Sequence, residues 1–163
     1  MKKILSIVLA VLFVLTAIAV AEITSPTIEI TFTTDKEGFV FAIDEEADVS
    51  EELAKAAEDL DAYFGEAADA AKEITGNDEL ELCEFAGVIA SGYEDEMGDV
   101  KVTAACPTAY EEGQKVAVLL GIDGEWTAFE GVGTADNSVE FTLDAETAKA
   151  VSEAGSALFA TAL

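Results

Sequence analysis

Lys115-Val116-Ala117-Val118-Leu119-Leu120-Gly121-Ile122, then Asp123-Gly124, then Glu125-Trp126-Thr127-Ala128-Phe129: the fold turns on this stretch. Lys115–Ile122 is almost continuously apolar, so it predicts a central strand buried on both faces. Asp123-Gly124 is a two-residue hairpin signal, because both positions of the favoured turn need a positive φ. Glu125–Phe129 is then the returning strand. Trp126, the only tryptophan, is expected to anchor one face of it.

Working outward, period-two alternation marks further strands. Ile28, Ile30 and Phe32 alternate with polar residues over Thr27–Thr33, and Phe39–Ile43 follows the turn at Asp35–Gly38. Leu80–Ile89 is apolar with broken alternation, which predicts a bulge. Val100, Val102, Ala104 and Cys106 alternate cleanly up to Pro107, a residue that ends a strand. Val139, Phe141 and Leu143 repeat the pattern after the turn at Asp136-Asn137-Ser138. Ser156–Leu163 is a last apolar strand. It is expected to lie paired inside the sheet, since an exposed edge of that kind aggregates.

Two segments read differently. Leu53, Ala56, Ala57, Leu60, Phe64, Ala67, Ala71 and Ile74 recur at helical spacing, so a helical segment is expected over about 50–75. Asp48 or Ser50 starts it, Gly65 interrupts it as a bend or a break, and Gly76-Asn77 ends it. Asp144 caps a short helix, Ala145–Ser152, ended near Gly155. The fold expected from this order is α+β: an immunoglobulin-like antiparallel β-sandwich, with the helical segment against one side.

The N-terminus carries a different message. Lys2 and Lys3 precede an uncharged run, Ile4–Val20, which closes on Ala19-Val20-Ala21 before the acidic Glu22. A basic start, an apolar middle and a small-x-small close mark a secretory signal peptide over 1–21, leaving 22–163 as a single domain. Retention as an anchor is the alternative, although the run falls short of the roughly 20 residues a span needs. Loss of Lys2 and Lys3 takes the net charge from −26 to −28. With no histidine, eight basic residues and 34 carboxylates, the chain repels phosphate backbones and anionic membranes. Nucleic acid is excluded as a partner, as is a membrane once the signal is gone.

Export exposes Cys83 and Cys106 to oxidant. Their midpoint falls in the loop Gly92–Gly98, so a hairpin about that loop would set them opposite each other. A disulfide and a pair of buried thiols both fit this spacing. The acids of Asp44, Glu46 and Asp48, and of Glu94, Asp95, Glu96 and Asp99, cluster in two expected loops. Calcium takes several oxygens from one loop, which makes these the candidate ligands. Solvated acidic loops are the competing reading, and titration with millimolar calcium separates the two. Neither loop matches the helix–loop–helix calcium pattern, since Lys55 stands where the last acid belongs after Asp44. No other cofactor is implied.

Enzyme chemistry finds little footing. Without histidine there is no Ser-His or Cys-His base. Two distant cysteines make no zinc site, and no glycine-rich phosphate loop follows a strand. Carboxylate pairs suited to a small secreted hydrolase remain, as they must with so many acids.

Residues 98–163 resemble the small immunoglobulin-like modules of Gram-positive bacterial secreted and surface proteins. The resemblance rests on Val100-Lys101-Val102-Thr103 leading into Pro107, on Tyr110, Gly113 and Lys115–Leu119, and on Asp123-Gly124-Glu125-Trp126. Val139–Leu143 and Ser156-Ala157-Leu158-Phe159-Ala160 complete it. It implies an extracellular, non-enzymatic module and transfers no functional residue. The expected role is a secreted or cell-surface binding or structural module, whose partner is a protein or glycan at a cell surface. A calcium-dependent accessory module and a small carboxylate hydrolase are the alternatives.

Overall fold

A computed structural model describes residues 30–163. The expected signal peptide, and the start of the expected first strand at Thr27, lie outside the described residues. The strands are β1 (Thr31–Thr34), β2 (Val40–Ile43), β3 (Leu82–Ser91) and β4 (Val100–Ala105). They continue as β5 (Lys115–Ile122), β6 (Glu125–Gly133), β7 (Ser138–Leu143) and β8 (Ser156–Ala162). Helices α1 (Ser50–Glu58), α2 (Leu60–Phe64) and α3 (Glu66–Thr75) lie between β2 and β3, and α4 (Ala145–Ala154) lies between β7 and β8.

All eight strands form one antiparallel sheet in the order β1-β4-β7-β6-β5-β8-β3-β2. The sheet curls until β1 meets β2, so it is nearly closed into a barrel. This overturns the expected immunoglobulin-like sandwich. A sandwich needs two separate sheets, but β5 and β8 are each paired along both edges, so the ladder never breaks. Period-two alternation specifies one buried face per strand, and a barrel and a sandwich share that requirement.

The inward side chains fill the barrel. Val116, Val118 and Leu120 of β5 meet Val100 and Val102 of β4, Val139 and Phe141 of β7, and Phe159 of β8. Aromatic edges close the seam between β1 and β2. The Phe32 ring stands edge-on to Phe41 at 4.9 Å and to Phe159 at 5.0 Å. Close approach at β6 requires the absence of a side chain. A Cβ on Gly131 would lie 2.6 Å from Val139 Cγ1 and 2.9 Å from Val118 Cγ2.

The outward face of β5 is also dry. Ala117 and Leu119 pack with Ala160 and Ala162 of β8 beneath Ala56, Phe64, Ala67, Ala68 and Ala71 of the helices. The two-sided burial expected of Lys115–Ile122 is therefore present. The expected helical segment exists as three pieces, broken at Asp59 and again at Gly65, whose φ is +57°. Asp59 is extended and its carboxylate accepts from Ala62 N, so it restarts the chain as a cap. Trp126 lies on the same outer face, edge-on to Phe64 at 4.8 Å.

Helix α4 bridges β7 to β8 across one end of the barrel. Its ten residues give about 15 Å. Asp144 caps it by accepting from Thr147 N at 2.8 Å, and left-handed Gly155 ends it. Its buried Ala148 and Val151 join the interior core.

Two substitutions test this packing by urea unfolding. Gly131→Ala is expected to lower stability by about 1–3 kcal/mol through overpacking. Leu119→Ala is expected to cost about 2–5 kcal/mol, because it opens a void between barrel and helices. Midpoints unchanged from wild type would contradict the packing on both faces.

Candidate functional site

Two places on the barrel gather polar side chains. The first is the end opposite α4. There Pro107–Gln114 crosses from β4 to β5 and inserts the buried Tyr110. Tyr110 Oη and Thr161 Oγ1 lie 2.8 Å apart, both buried, and either hydroxyl can donate. The expected bulge in β3 falls here, where pairing with β8 slips between Leu82 and Glu84. A bulge turns successive side chains to the same side, which brings Cys83 and Glu84 toward this end together. The Glu84 carboxylate accepts from the Thr108 N–H at 3.0 Å and from the Thr108 hydroxyl. Cys106 is buried beside them in the interior core.

Both cysteines carry free thiols. They do not face each other across a hairpin about Gly92–Gly98. β3 pairs with β2 and β8, whereas β4 pairs with β1 and β7. What they share is the Tyr110 end of the barrel. Burial raises the thiol of Cys83 to about 11, helped by the charges of Glu81 and Glu84. Burial raises Cys106 to about 12, helped by Glu84 and by Cys83. Neither is an activated nucleophile, which would need a depressed value. Burial also pushes the Tyr110 phenol above its ordinary range.

The second place is a fork between β6 and β7. β6 pairs with β5 from Glu125 to Val132, but with β7 only over Gly131–Gly133. Above Gly131 the ladder stops, and a shallow groove of about 290 Å³ opens beside the two strands. Phe129, Val132 and Phe141 give it apolar walls. Lys101 bridges Glu140 at 2.6 Å between β4 and β7 on one side of it, and Lys115 bridges Glu130 at 3.0 Å between β5 and β6 on the other. Nothing in the sequence marked this site. The only available sign was length, since the apolar alternation of β7 stops at Leu143 while β6 runs on to its turn.

The candidate calcium acids are spread out by the fold. Asp44 accepts from Glu46 N, and Asp48 from Ser50 N at the start of α1. Asp95 pairs with Lys149 at 3.0 Å, and Asp99 accepts from Ala145 N at the start of α4. Glu94 precedes a 3-10 turn, Asp95–Met97, that contains Glu96. Among the described residues, no three His, Cys, Asp or Glu side chains converge closely enough to hold a metal ion.

No family model, curated protein or solved structure matches this chain. Its reading therefore rests on its own residues.

Two experiments probe the Tyr110 end. Tyr110→Phe leaves the buried Thr161 hydroxyl without its partner and is expected to cost about 1–3 kcal/mol, while Tyr110→Phe with Thr161→Val recovers part of the loss. Equal losses in the single and double variants would contradict the pair. The thiols give a pH dependence. The fold binds their protons more tightly than the unfolded chain, whose thiols titrate near 9.0. Their contribution is complete below about pH 9 and is lost as pH rises toward 11 and 12. Replacing both by alanine is expected to flatten that decline in urea titrations. An unchanged slope would contradict the burial of the thiols.

Proposed function

We propose that this protein is an exported, non-catalytic binding or structural module that works outside the cytoplasm, with a protein or glycan at a cell surface as its partner. The observation that carries this reading is the filling of the barrel. Apolar side chains occupy its axis, Tyr110 stops one end, and Ala148 and Val151 of α4 stop the other. Among the described residues, every buried side-chain nitrogen and oxygen has a hydrogen-bond partner.

The charge distribution supports the same reading. Each of the six lysines among the described residues bridges a carboxylate. The remaining acids form a solvated, strongly negative surface, which keeps an exported protein soluble at high dilution. Export itself rests on Lys2-Lys3, the apolar run Ile4–Val20 and the Ala19-Val20-Ala21 close.

Expression of the full chain in a secreting host, followed by N-terminal sequencing of protein in the medium, checks the export. The expected first residue is Glu22, and intact Met1 inside the cell would contradict it. Saturable retention of the protein on cell-wall or cell-surface material, with no turnover of glycans or peptides, is expected of the module. Reproducible turnover would contradict it.

A further inference from the structure

The fork leaves the upper half of β6 with one edge unpaired. The two-residue turn Asp123-Gly124, with φ of 53° and 86°, makes Ile122 and Glu125 the first hydrogen-bonded pair of the hairpin. In an antiparallel ladder such pairs alternate. Glu125, Thr127, Phe129, Gly131 and Gly133 therefore turn their backbone groups toward β5. The far end agrees, since Gly133 N donates to Gln114 O, while Thr134 N donates the other way, to Ser138 O. Trp126, Ala128 and Glu130 must then point their N–H groups toward β7, where the ladder starts only at Gly131. The ladder with β7 includes none of these three residues.

A row of free N–H and C=O groups along a strand is a template for another strand. This one ends in the groove walled by Phe129, Val132 and Phe141, and Val132 is 40% exposed. Natural sheets protect such edges with lysine, proline or a covering loop. Here the edge residues are Trp126, Ala128 and Glu130, and the nearest lysines, Lys101 and Lys115, are neutralised by Glu140 and Glu130.

We propose that the β6 edge, Trp126–Glu130, is a docking site for an extended, positively charged peptide segment of another protein, which adds to the sheet as a further strand. This rests on the reading of the chain as a binding module and names the surface that binds. Strand addition supplies main-chain hydrogen bonds, with alternate side chains giving specificity. Apolar residues of the segment meet the walls of the groove, and its basic residues are held by the net negative charge of the chain rather than by Glu130 or Glu140, which Lys115 and Lys101 already pair. Charge selects the occupant. A chain carrying −26 draws a cationic segment and repels both an acidic segment and a second copy of itself.

The test titrates the purified protein with three synthetic peptides: one alternating lysine and valine, one alternating glutamate and valine, and the lysine peptide methylated on every backbone amide. Trp126, the only tryptophan, reports binding by fluorescence, and amide shifts map the site. The lysine peptide is expected to saturate and to shift Trp126, Ala128 and Glu130. Methylation is expected to weaken it by about tenfold or more, which is the loss of roughly one or two hydrogen bonds. Ala128→Pro removes the central N–H without touching the bonds to β5, and is expected to weaken binding comparably with the melting temperature nearly unchanged. Equal binding of the methylated peptide would show charge attraction alone and overturn the proposal. Shifts confined to another surface would overturn this site while leaving the module reading intact. Self-association through β6, read by sedimentation without peptide, would also overturn it. Cleavage of the peptides would overturn the module reading itself.

Discussion

Strand β5 has no face left for water, and the rest of the molecule follows from that constraint. Val116, Val118 and Leu120 need an interior, while Ala117 and Leu119 need a cover on the other side. The curled sheet supplies the first and the alanine-rich helices the second. Small residues make both contacts close. Gly131 lets Val118 and Val139 meet inside, and Ala67, Ala68 and Ala71 let α3 lie flat on Ala117 and Leu119 outside. At roughly 25 cal/mol per Å² of apolar surface, burial on both faces makes β5 a large contributor to stability.

Much of this was legible in the sequence. The Asp123-Gly124 turn, the Asp144 cap, the bulge in β3 and the internal position of β8 all follow from local chemistry, and each is where the residues put it. Closure of the sheet was not legible. Whether strands split into two layers or continue round a barrel depends on which edges meet, and inward periodicity is the same in both. The break at Asp59 also escaped, because Leu60 continues the helical spacing even though Asp59 itself is extended.

The candidate sites divide along the same line. Acid clusters are visible in any sequence this negative, yet their geometry depends on what each carboxylate bonds to. Asp48 and Asp99 turn out to hold helix starts, and Asp95 a lysine. The Tyr110 end draws Cys83, Glu84, Thr108 and Thr161 from distant parts of the chain, and the fork arises from a mismatch in strand length. Both are properties of closure. The sheet ends at β1 and β2, and the short β7 leaves a further stretch of edge on β6.

Amide hydrogen exchange resolved by residue tests the central claim most directly. The account predicts that Val116–Gly121 of β5 exchange only through global unfolding, and that protection along β6 alternates, with Thr127 and Phe129 slow and Trp126, Ala128 and Glu130 fast. Uniform protection along β6, or amides of β5 that exchange faster than those of α3, would contradict it.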